Sequence, residues 1–457
     1  MDKKRLGIIV GGGPAPGINA VIGAATIEAN NQGFEVVGIY DGFKWLASEE
    51  FYRNIHTVAL ETTKVARIHF EGGSILRTSR TSLLDASHSK EHSHVAPDPK
   101  KTGEVVRNLR ALGITHLLTI GGDDTALSAR FVCDAARGNF RLVHIPKTID
   151  NDLPLPQDAS TFGFPTARNL GTMLVKNLMR DSQTTGRWYV VETMGRSAGW
   201  LAQAIGLASG ATLTLIPEEF APNSQLHHII DVVEAAILKR KAMGRPDGVA
   251  IIAEGLTYRL GDVAELEKIL GYEIPLDAVG HPRLSEVNLA SLIKSEIERR
   301  FKERGQKITL VDHELGYELR SADPTPRDMA YCRALGYFGV QLLMRDNLAP
   351  GVMVTIVNGN LNPIDLHDLI DSNTNRIMVR RVNIESDMYR VARAYQIRLE
   401  LNDFENSDLL PKIAAEAKMT ARQFTERYLR AATRLTDGFT ESEAELAAAG
   451  QSTEKSK

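Results

Sequence analysis

The heptapeptide Pro146-Lys147-Thr148-Ile149-Asp150-Asn151-Asp152 concentrates a cation, a hydroxyl and two carboxylates. It follows an apolar run, Leu142 to Ile145, so the pattern predicts one short turn after a buried strand. Phosphoryl transfer to an alcohol requires such a set: a carboxylate to take the hydroxyl proton and a cation to balance developing phosphate charge. A second segment, Gly121-Gly122-Asp123-Asp124-Thr125, also stands at a strand end. Two carboxylates there are either caps of the next helix or, for Asp123, a ligand of Mg²⁺, which prefers oxygen donors and keeps several waters while bridging phosphates. A third segment, Gly11-Gly12-Gly13-Pro14-Ala15-Pro16-Gly17, joins the first strand to the first helix. Its glycines let backbone approach an anion at a helix start, and a tight structural turn explains the same glycines. It is neither GxGxxG nor a P-loop.

These segments need elements to aim them. Leu6 to Val10 reads as a strand, Gly17 to Asn31 as a helix, Phe34 to Tyr40 as a strand. His116 to Ile120, Thr125 to Arg137 and Arg141 to Ile145 repeat the strand–helix–strand order. That order predicts an α/β fold with mostly parallel sheets covered by helices, and sites at the carboxyl ends of strands. A second set follows: helix Ala167 to Ser182, strand Trp188 to Glu192, helix Ser197 to Ala208, strand Thr212 to Ile216, helix Gln225 to Met243 and strand Gly248 to Ala253. The helix Asp328 to Arg345 and the strand Val352 to Val357 read as a return to the first domain. The expected organisation is two Rossmann-like α/β domains with the active site in the cleft between them. Residues 1–160 with 317–404 form the first domain, 161–316 the second, and 405–457 a helical extension and tail.

The chain has 457 residues, 43% hydrophobic and 24% charged, enough for two or three domains. Its net charge of -3 predicts no general attraction to nucleic acid or an anionic membrane. No apolar run reaches transmembrane length, and Met1 to Arg5 leads directly into a strand, so a cytoplasmic location is expected. Cys133 and Cys332 read as buried free thiols of a reducing compartment. His88, His92 and His94 suggest zinc, but no cysteine accompanies them and residues 85–101 have the composition of an exposed loop. The tail from about Glu441 is Glu/Ala/Ser/Lys-rich and is expected to fray.

The segments GGGPAPGIN, GGSILRTSR, IGGDDT, PKTIDND, FGFPTA, MGRSAGW, IIAEG and LGYELR occur here in the order and context of the phosphofructokinase family. The resemblance spans about Gly7 to Phe404. It implies two α/β domains and Mg²⁺-dependent transfer to C1 of fructose 6-phosphate. By matching position it implies that Gly13 contacts the donor phosphate, Asp123 holds Mg²⁺, and Asp150 is the general base. Thr148 contacts the sugar phosphate, and Met194, Gly195, Arg196 and Glu254 form the sugar site. Tyr317 and Arg320 bind the distal phosphate. Arg80 faces the transferring group, and Arg187 matches an arginine that reaches a neighbouring subunit's sugar site, so a homodimer or homotetramer is expected. Each has a plainer alternative: solvated surface arginines, a loop carboxylate at Glu254, core packing at Met194.

The donor turns on two positions. ATP-using members resemble this chain but have glycine where Asp124 and Lys147 stand. A carboxylate at Asp124 fills the space of an α-phosphate and repels a triphosphate; two unit charges about 4 Å apart at an effective dielectric near 20 interact by roughly 4 kcal/mol. Lys147 adds a cation for pyrophosphate. The pair resembles the pyrophosphate-dependent branch, and Arg77, in place of a small residue, adds further charge for diphosphate. Among departures, Val311 stands where the family's sugar-phosphate arginine is expected, and Gly23 and Ile27 replace arginines of a nucleotide effector site. The expected activity is reversible phosphoryl transfer from diphosphate, with Asp150, Lys147, Asp124 and Arg80 as the catalytic set. The rivals are an ATP-dependent enzyme and a non-catalytic sugar-phosphate-binding regulatory subunit. Sedoheptulose 7-phosphate fits the same chemistry.

Overall fold

The computed structural model describes residues 4–85, 94–138, 140–156, 159–261, 263–271, 273–275, 287–347 and 349–433. His88, His92 and the tail from Glu441 therefore lie outside the described residues. The chain divides into two compact units, Met1–Leu170 with Gly316–Arg380, and Gly171–Leu315 with Arg381–Lys457. In chain order, β1 (Arg5–Val10), β2 (Glu35–Ile39), β3 (Thr57–Leu60), β4 (His116–Gly121), β5 (Arg141–Thr148) and β6 (Phe162–Gly163) belong to the first unit. β7 (Trp188–Thr193), β8 (Leu213–Leu215), β9 (Gly248–Ala253) and β10 (Leu310–Leu315) belong to the second. β11 (Gly351–Met353), β12 (Ile356–Val357), β13 (Asn360–Leu361) and β14 (Ile364–Asp365) belong to the first again.

The main sheet of the first unit runs β14-β11-β5-β4-β1-β2-β3, with β6 added to the end of β5. Pairing is parallel throughout except at the edges, β2 with β3 and β11 with β14. Every residue of β4 is buried, as the continuous apolar run His116–Gly121 requires of a strand covered on both faces. Side chains alternate between two apolar layers. Leu6, Ile8 and Val10 pack with the helices Ile18–Asn31 and Pro326–Leu343, while Ile9 faces the layer that holds Leu109 and Leu127. β1 leads outward to β2 on one side and to β4 on the other. The strand order therefore reverses between β1 and β4, and an open α/β sheet forms its crevice at the carboxyl ends of such a pair. Gly11–Gly13 and Gly122–Asp124 follow those two ends.

Two expectations change. The strand expected to stop at Ile145 continues through Thr148, because Pro146 pairs with Gly121, and Lys147 and Thr148 pair with Phe162 and Gly163. The turn thus begins at Ile149, and Lys147 is a strand residue. The strand expected from Val352 to Val357 is split: Gly351–Met353 joins β5, and Ile356–Val357 forms a hairpin with β13.

The second unit holds a four-stranded parallel sheet, β10-β7-β9-β8. Trp188, the helix Leu226–Ala242 and the helix Leu289–Glu303 share its core with Ile413, Phe424 and Tyr428. The C-terminal helices Leu410–Glu416 and Ala421–Ala432 are therefore packed into this unit. So is the stretch 381–404, which the sequence reading gave to the first domain. There Tyr389 donates to Glu219, and Arg398 pairs with the same buried carboxylate at 2.8 Å. Cys133 and Cys332 are buried and free. Among the described residues no helix is long and apolar enough to cross a membrane.

Gly17 caps the Ile18–Asn31 helix with φ of 106°, and a Cβ there would stand 2.4 Å from Cys332 Sγ. Left-handed strain and overpacking together set the expected cost of Gly17→Ala at roughly 2–4 kcal/mol in urea unfolding. Adding Cys332→Ala should recover part of it; an unchanged midpoint in the single variant would show that the turn relaxes freely.

Candidate active site

The first glycine turn is tied down on both sides. Gly11 N–H donates to Ile120 O at 2.8 Å, Gly12 N–H donates to Ser79 O at 2.8 Å, and the Thr78 hydroxyl donates to Gly12 O. Gly12 has φ of 80°, and a Cβ on it would stand 3.0 Å from Lys147 Nζ. That ammonium donates to Gly13 O. A Cβ on Gly13 would meet the Arg320 guanidinium at 3.6 Å. Glycine at position 12 is favoured by its left-handed φ, and both cations lie close to this backbone.

The second turn opens the helix Asp123–Ala136, whose N-cap is Gly122 and which has no side-chain cap. Asp123 is half-buried and Asp124 exposed. Beneath them lies a buried histidine that the sequence reading missed. His144 Nδ1 accepts from the Thr119 hydroxyl at 2.9 Å, and Nε2–H donates to Gly121 O at 3.1 Å. Burial pushes His144 down to about 3, so it is a neutral brace at neutral pH. Its sequence signal was a polar residue inside the run Leu142 to Ile145.

The third turn follows β5. Asp150 N–H donates to Thr148 Oγ1 at 3.0 Å. Asn151 takes φ of 57°, a conformation that asparagine tolerates better than most residues. Asn151 Oδ1 accepts from Thr161 N–H at 3.1 Å, and the Thr161 hydroxyl donates to Thr148 O at 2.7 Å. Arg380, which no motif flagged, donates from Nη1 to Ala159 O at 2.7 Å and from Nε and Nη2 to Asn151 O at 3.3 and 3.1 Å.

The electrostatics join these turns. Lys147 is only 3% exposed. Burial lowers its pKa from an ordinary 10.5 to about 8; Arg320 and Arg80 push the same way, while Asp150 and Asp123 oppose. Asp152 is raised to about 8, first by burial and then by the charges of Asp150 and Asp123. Four of the expected site residues of the first unit, Arg80, Asp123, Asp150 and Arg320, thus act on a fifth, Lys147. Mg²⁺ fits this donor set. Asp123, Asp150 and Asp152 are hard oxygen donors, and the charges of the first two oppose ionisation of the third, while among the described residues no group of three or more His, Cys, Asp or Glu could hold a metal ion by itself. An ion held there would complete its shell with water and phosphate oxygens, the habit of Mg²⁺.

Other candidates are placed more loosely. Arg80 is exposed. Arg77 has φ of 55°; its guanidinium lies 5.2 Å from the Tyr40 ring centre and 3.7 Å from Asp41. Tyr317 is 77% exposed, with the Arg320 guanidinium 5.4 Å from its ring centre. Arg320 therefore sits over Gly13, at the donor turn.

In the second unit β7 and β9 pair so that Thr193 lies beside Ala253. Met194, Gly195 and Arg196 leave one strand end and Glu254 the next. Gly195 has φ of 131°, and a Cβ on Gly255 would stand 2.6 Å from Arg196 O, so the two segments touch. Glu218 accepts from Gly199 N–H at 3.0 Å and from Val382 N–H at 3.0 Å, fixing the segment that follows. Arg196 is exposed. Glu192, buried on β7, is raised to about 7 by burial and by Glu254 and Glu314, against a bond from Ala290 N–H at 3.1 Å. Arg187 is at the opposite end of β7, 3.8 Å from Asp181. At about 3.3 Å per residue it stands roughly 20 Å along the strand from Met194. Val311 pairs with Tyr189 at that same end, leaving Arg187 without the second arginine the family resemblance would supply.

Comparison with known proteins follows the same lines. The phosphofructokinase family model matches residues 5–343. A pyrophosphate–fructose 6-phosphate 1-phosphotransferase of Thermotoga maritima is 50% identical over 426 residues, covering 93% of this chain and 98% of that one. One of Naegleria fowleri is 41% identical, covering 93% and 95%. Relatives named as ATP-dependent 6-phosphofructokinases, such as that of Chloroflexus aggregans at 30% identity over 86% of this chain and 97% of its own, are more distant. The crystal structure of a pyrophosphate-dependent phosphofructokinase from Marinobacter aquaeolei shares the fold, with a TM-score of 0.58 at 18% identity, over 86% of this chain and 91% of that one.

Lys147 generates a pH prediction. The folded amine releases its proton near pH 8, the unfolded one near 10.5. Between those values the unfolded chain binds more protons, so this group makes stability rise with pH, and its buried charge costs stability below pH 8. Lys147→Met should therefore unfold at higher urea than wild type at pH 7, by about 1–3 kcal/mol, with the advantage shrinking toward pH 10. Parallel pH profiles for the two proteins would show that Lys147 titrates normally.

Proposed function

The chain belongs to the phosphofructokinase family, and from that membership we propose a Mg²⁺-dependent, reversible transfer of a phosphoryl group from diphosphate to C1 of fructose 6-phosphate. The observation that carries the donor assignment is Lys147, buried on β5 with its ammonium on Gly13 O, together with the exposed carboxylate of Asp124 at the start of the Asp123–Ala136 helix. A small, highly charged donor uses a fixed cation beside a glycine turn. A nucleotide would have to place its α-phosphate against Asp124.

In the forward direction Asp150 takes the proton of the sugar 1-hydroxyl as O1 attacks phosphorus, and the P–O bond to the leaving orthophosphate breaks. Lys147, Arg80 and Arg320 balance the charge shared between the transferring group and the leaving phosphate, with Gly13 and Arg77 assigned to the diphosphate. Asp123 holds Mg²⁺, which when bound supplies further positive charge to the phosphates. In reverse, protonated Asp150 returns the proton. In the second unit Met194, Gly195, Arg196 and Glu254 are assigned to the sugar, and in the first Thr148 and Tyr317 to the sugar phosphate. The position of Arg320 over Gly13 supports a role at the transferring phosphate as well as at the distal one. Arg187, at the far end of β7 from Met194, supports service to a neighbouring subunit, and hence a homo-oligomer.

Steady-state assays test the donor. Wild type should turn over with diphosphate at least a hundredfold faster in kcat/KM than with ATP at matched Mg²⁺. Asp124→Gly should admit measurable ATP use. ATP-dependent turnover by the unaltered protein, with none from diphosphate, would sink the assignment.

Asp150→Asn should lower kcat by roughly 10² to 10⁴ with little change in sugar-phosphate KM. Mixing it with Arg187→Ala, itself inactive, should restore activity if clefts are completed by a neighbour. Demonstrated subunit exchange without recovery would rule the shared site out, and near-normal kcat in Asp150→Asn would move the base to Asp152.

A further inference from the structure

Arg380 lies outside every recognised motif, yet it holds the turn that carries Asp150. Its guanidinium spans two separate stretches of backbone, reaching Asn151 O from Nε and Nη2 and Ala159 O from Nη1. Nη2 also donates to Asn151 Oδ1, and Arg380 N–H donates to Asp152 O at 2.7 Å. Every one of these acceptors is a neutral oxygen, so the side chain acts here as a rigid fork. A lysine at this position would offer a single point of donation. The residue so held is buried, 6% exposed, and left-handed, with Asp150 before it and Asp152 after it. Thr161 closes the same loop from within, bonding Asn151 Oδ1 and Thr148 O.

In a simple extended segment the side chains of Asp150 and Asp152 would share a side. A left-handed residue between them breaks that periodicity, so the turn alone decides where each carboxylate points. The strain of such a residue persists only where surrounding bonds over-determine it.

We propose that Arg380 is a positioning residue for phosphoryl transfer, fixing the Asp150-Asn151-Asp152 turn so that Asp150 meets the attacking hydroxyl. The proposal rests on Asp150 being the base. Arg380→Met removes the fork, and Arg380→Lys keeps the charge without it. Both should lower kcat with diphosphate and fructose 6-phosphate, Met by ten- to a hundredfold and Lys by an intermediate factor, while sugar-phosphate KM stays within threefold. The acid limb of the kcat–pH profile should move by half a pH unit or more, because the charge of Asp150 acts on Asp152 and a freed turn changes their spacing. A residue of structural importance only would lower activity in step with the folded fraction, measured by near-ultraviolet circular dichroism, and leave the limb in place; that outcome overturns the proposal. So does wild-type kcat in a folded Met variant. If the Met variant does not fold, the Lys variant and Asn151→Gly, which keeps the left-handed backbone and deletes the Oδ1 acceptor, carry the test on the same readouts. Failure of the functional reading is distinguishable: wild type itself would then be inactive with diphosphate.

Discussion

The first unit is organised around a buried ammonium. Lys147 projects from the last residues of β5 close against Gly12, where a Cβ would stand 3.0 Å from its Nζ, and its ammonium donates to Gly13 O. A lone buried cation is costly, and here Asp150 and Asp123 supply the opposing charge. Those carboxylates in turn crowd Asp152. The result is a compact set of opposed charges, Lys147, Arg80 and Arg320 against Asp123, Asp150 and Asp152, gathered at one end of the sheet.

Holding such a set needs stiff backbone. The open sheet brings Gly11 beside Ile120 and Gly121 beside Pro146 through strand pairing, so three chemically loaded turns issue from three adjacent strand ends. Side-chain hydrogen bonds do the local bracing. His144 fixes Gly121, Thr148 fixes Asp150, and Asp328 accepts from Gly163 N–H at 3.2 Å and Thr166 N–H at 2.9 Å at the start of the Phe164–Thr185 helix. In the second unit the same architecture presents Met194–Arg196 and Glu254 from paired strands, with Glu218 securing Gly199.

The contrast between the donor position and the effector position is instructive. Asp124, proposed to select the donor, stands exposed in the first turn of the Asp123–Ala136 helix, where an acidic residue is welcome and leaves the fold unaltered. At Gly23 the backbone is packed tightly: a Cβ would stand 3.2 Å from Val65 O. Gly23 and Ile27 nevertheless line a surface cavity together with Glu28, Val65, His69 and Arg333, so the room beside them is open.

From its residues alone the sequence determined the parallel α/β class, the strand ends that carry chemistry, and the identity of the charged groups, because period, glycine placement and charge are local properties of a chain. The resemblance carried by eight ordered segments supplied the roles of Arg187, Arg196, Glu254, Tyr317 and Arg320, which no spacing could. Tertiary structure decided the rest. β5 runs on through Lys147 because β6, fourteen residues later, offers it a partner. Residues 381–404 belong to the second unit because Glu219, far back in the chain, receives Tyr389 and Arg398. Arg380 reaches a turn 229 residues earlier, and Arg320 leans over Gly13. Pairings at such separation leave no periodic trace in sequence, so only the folded chain reveals which cation meets which turn.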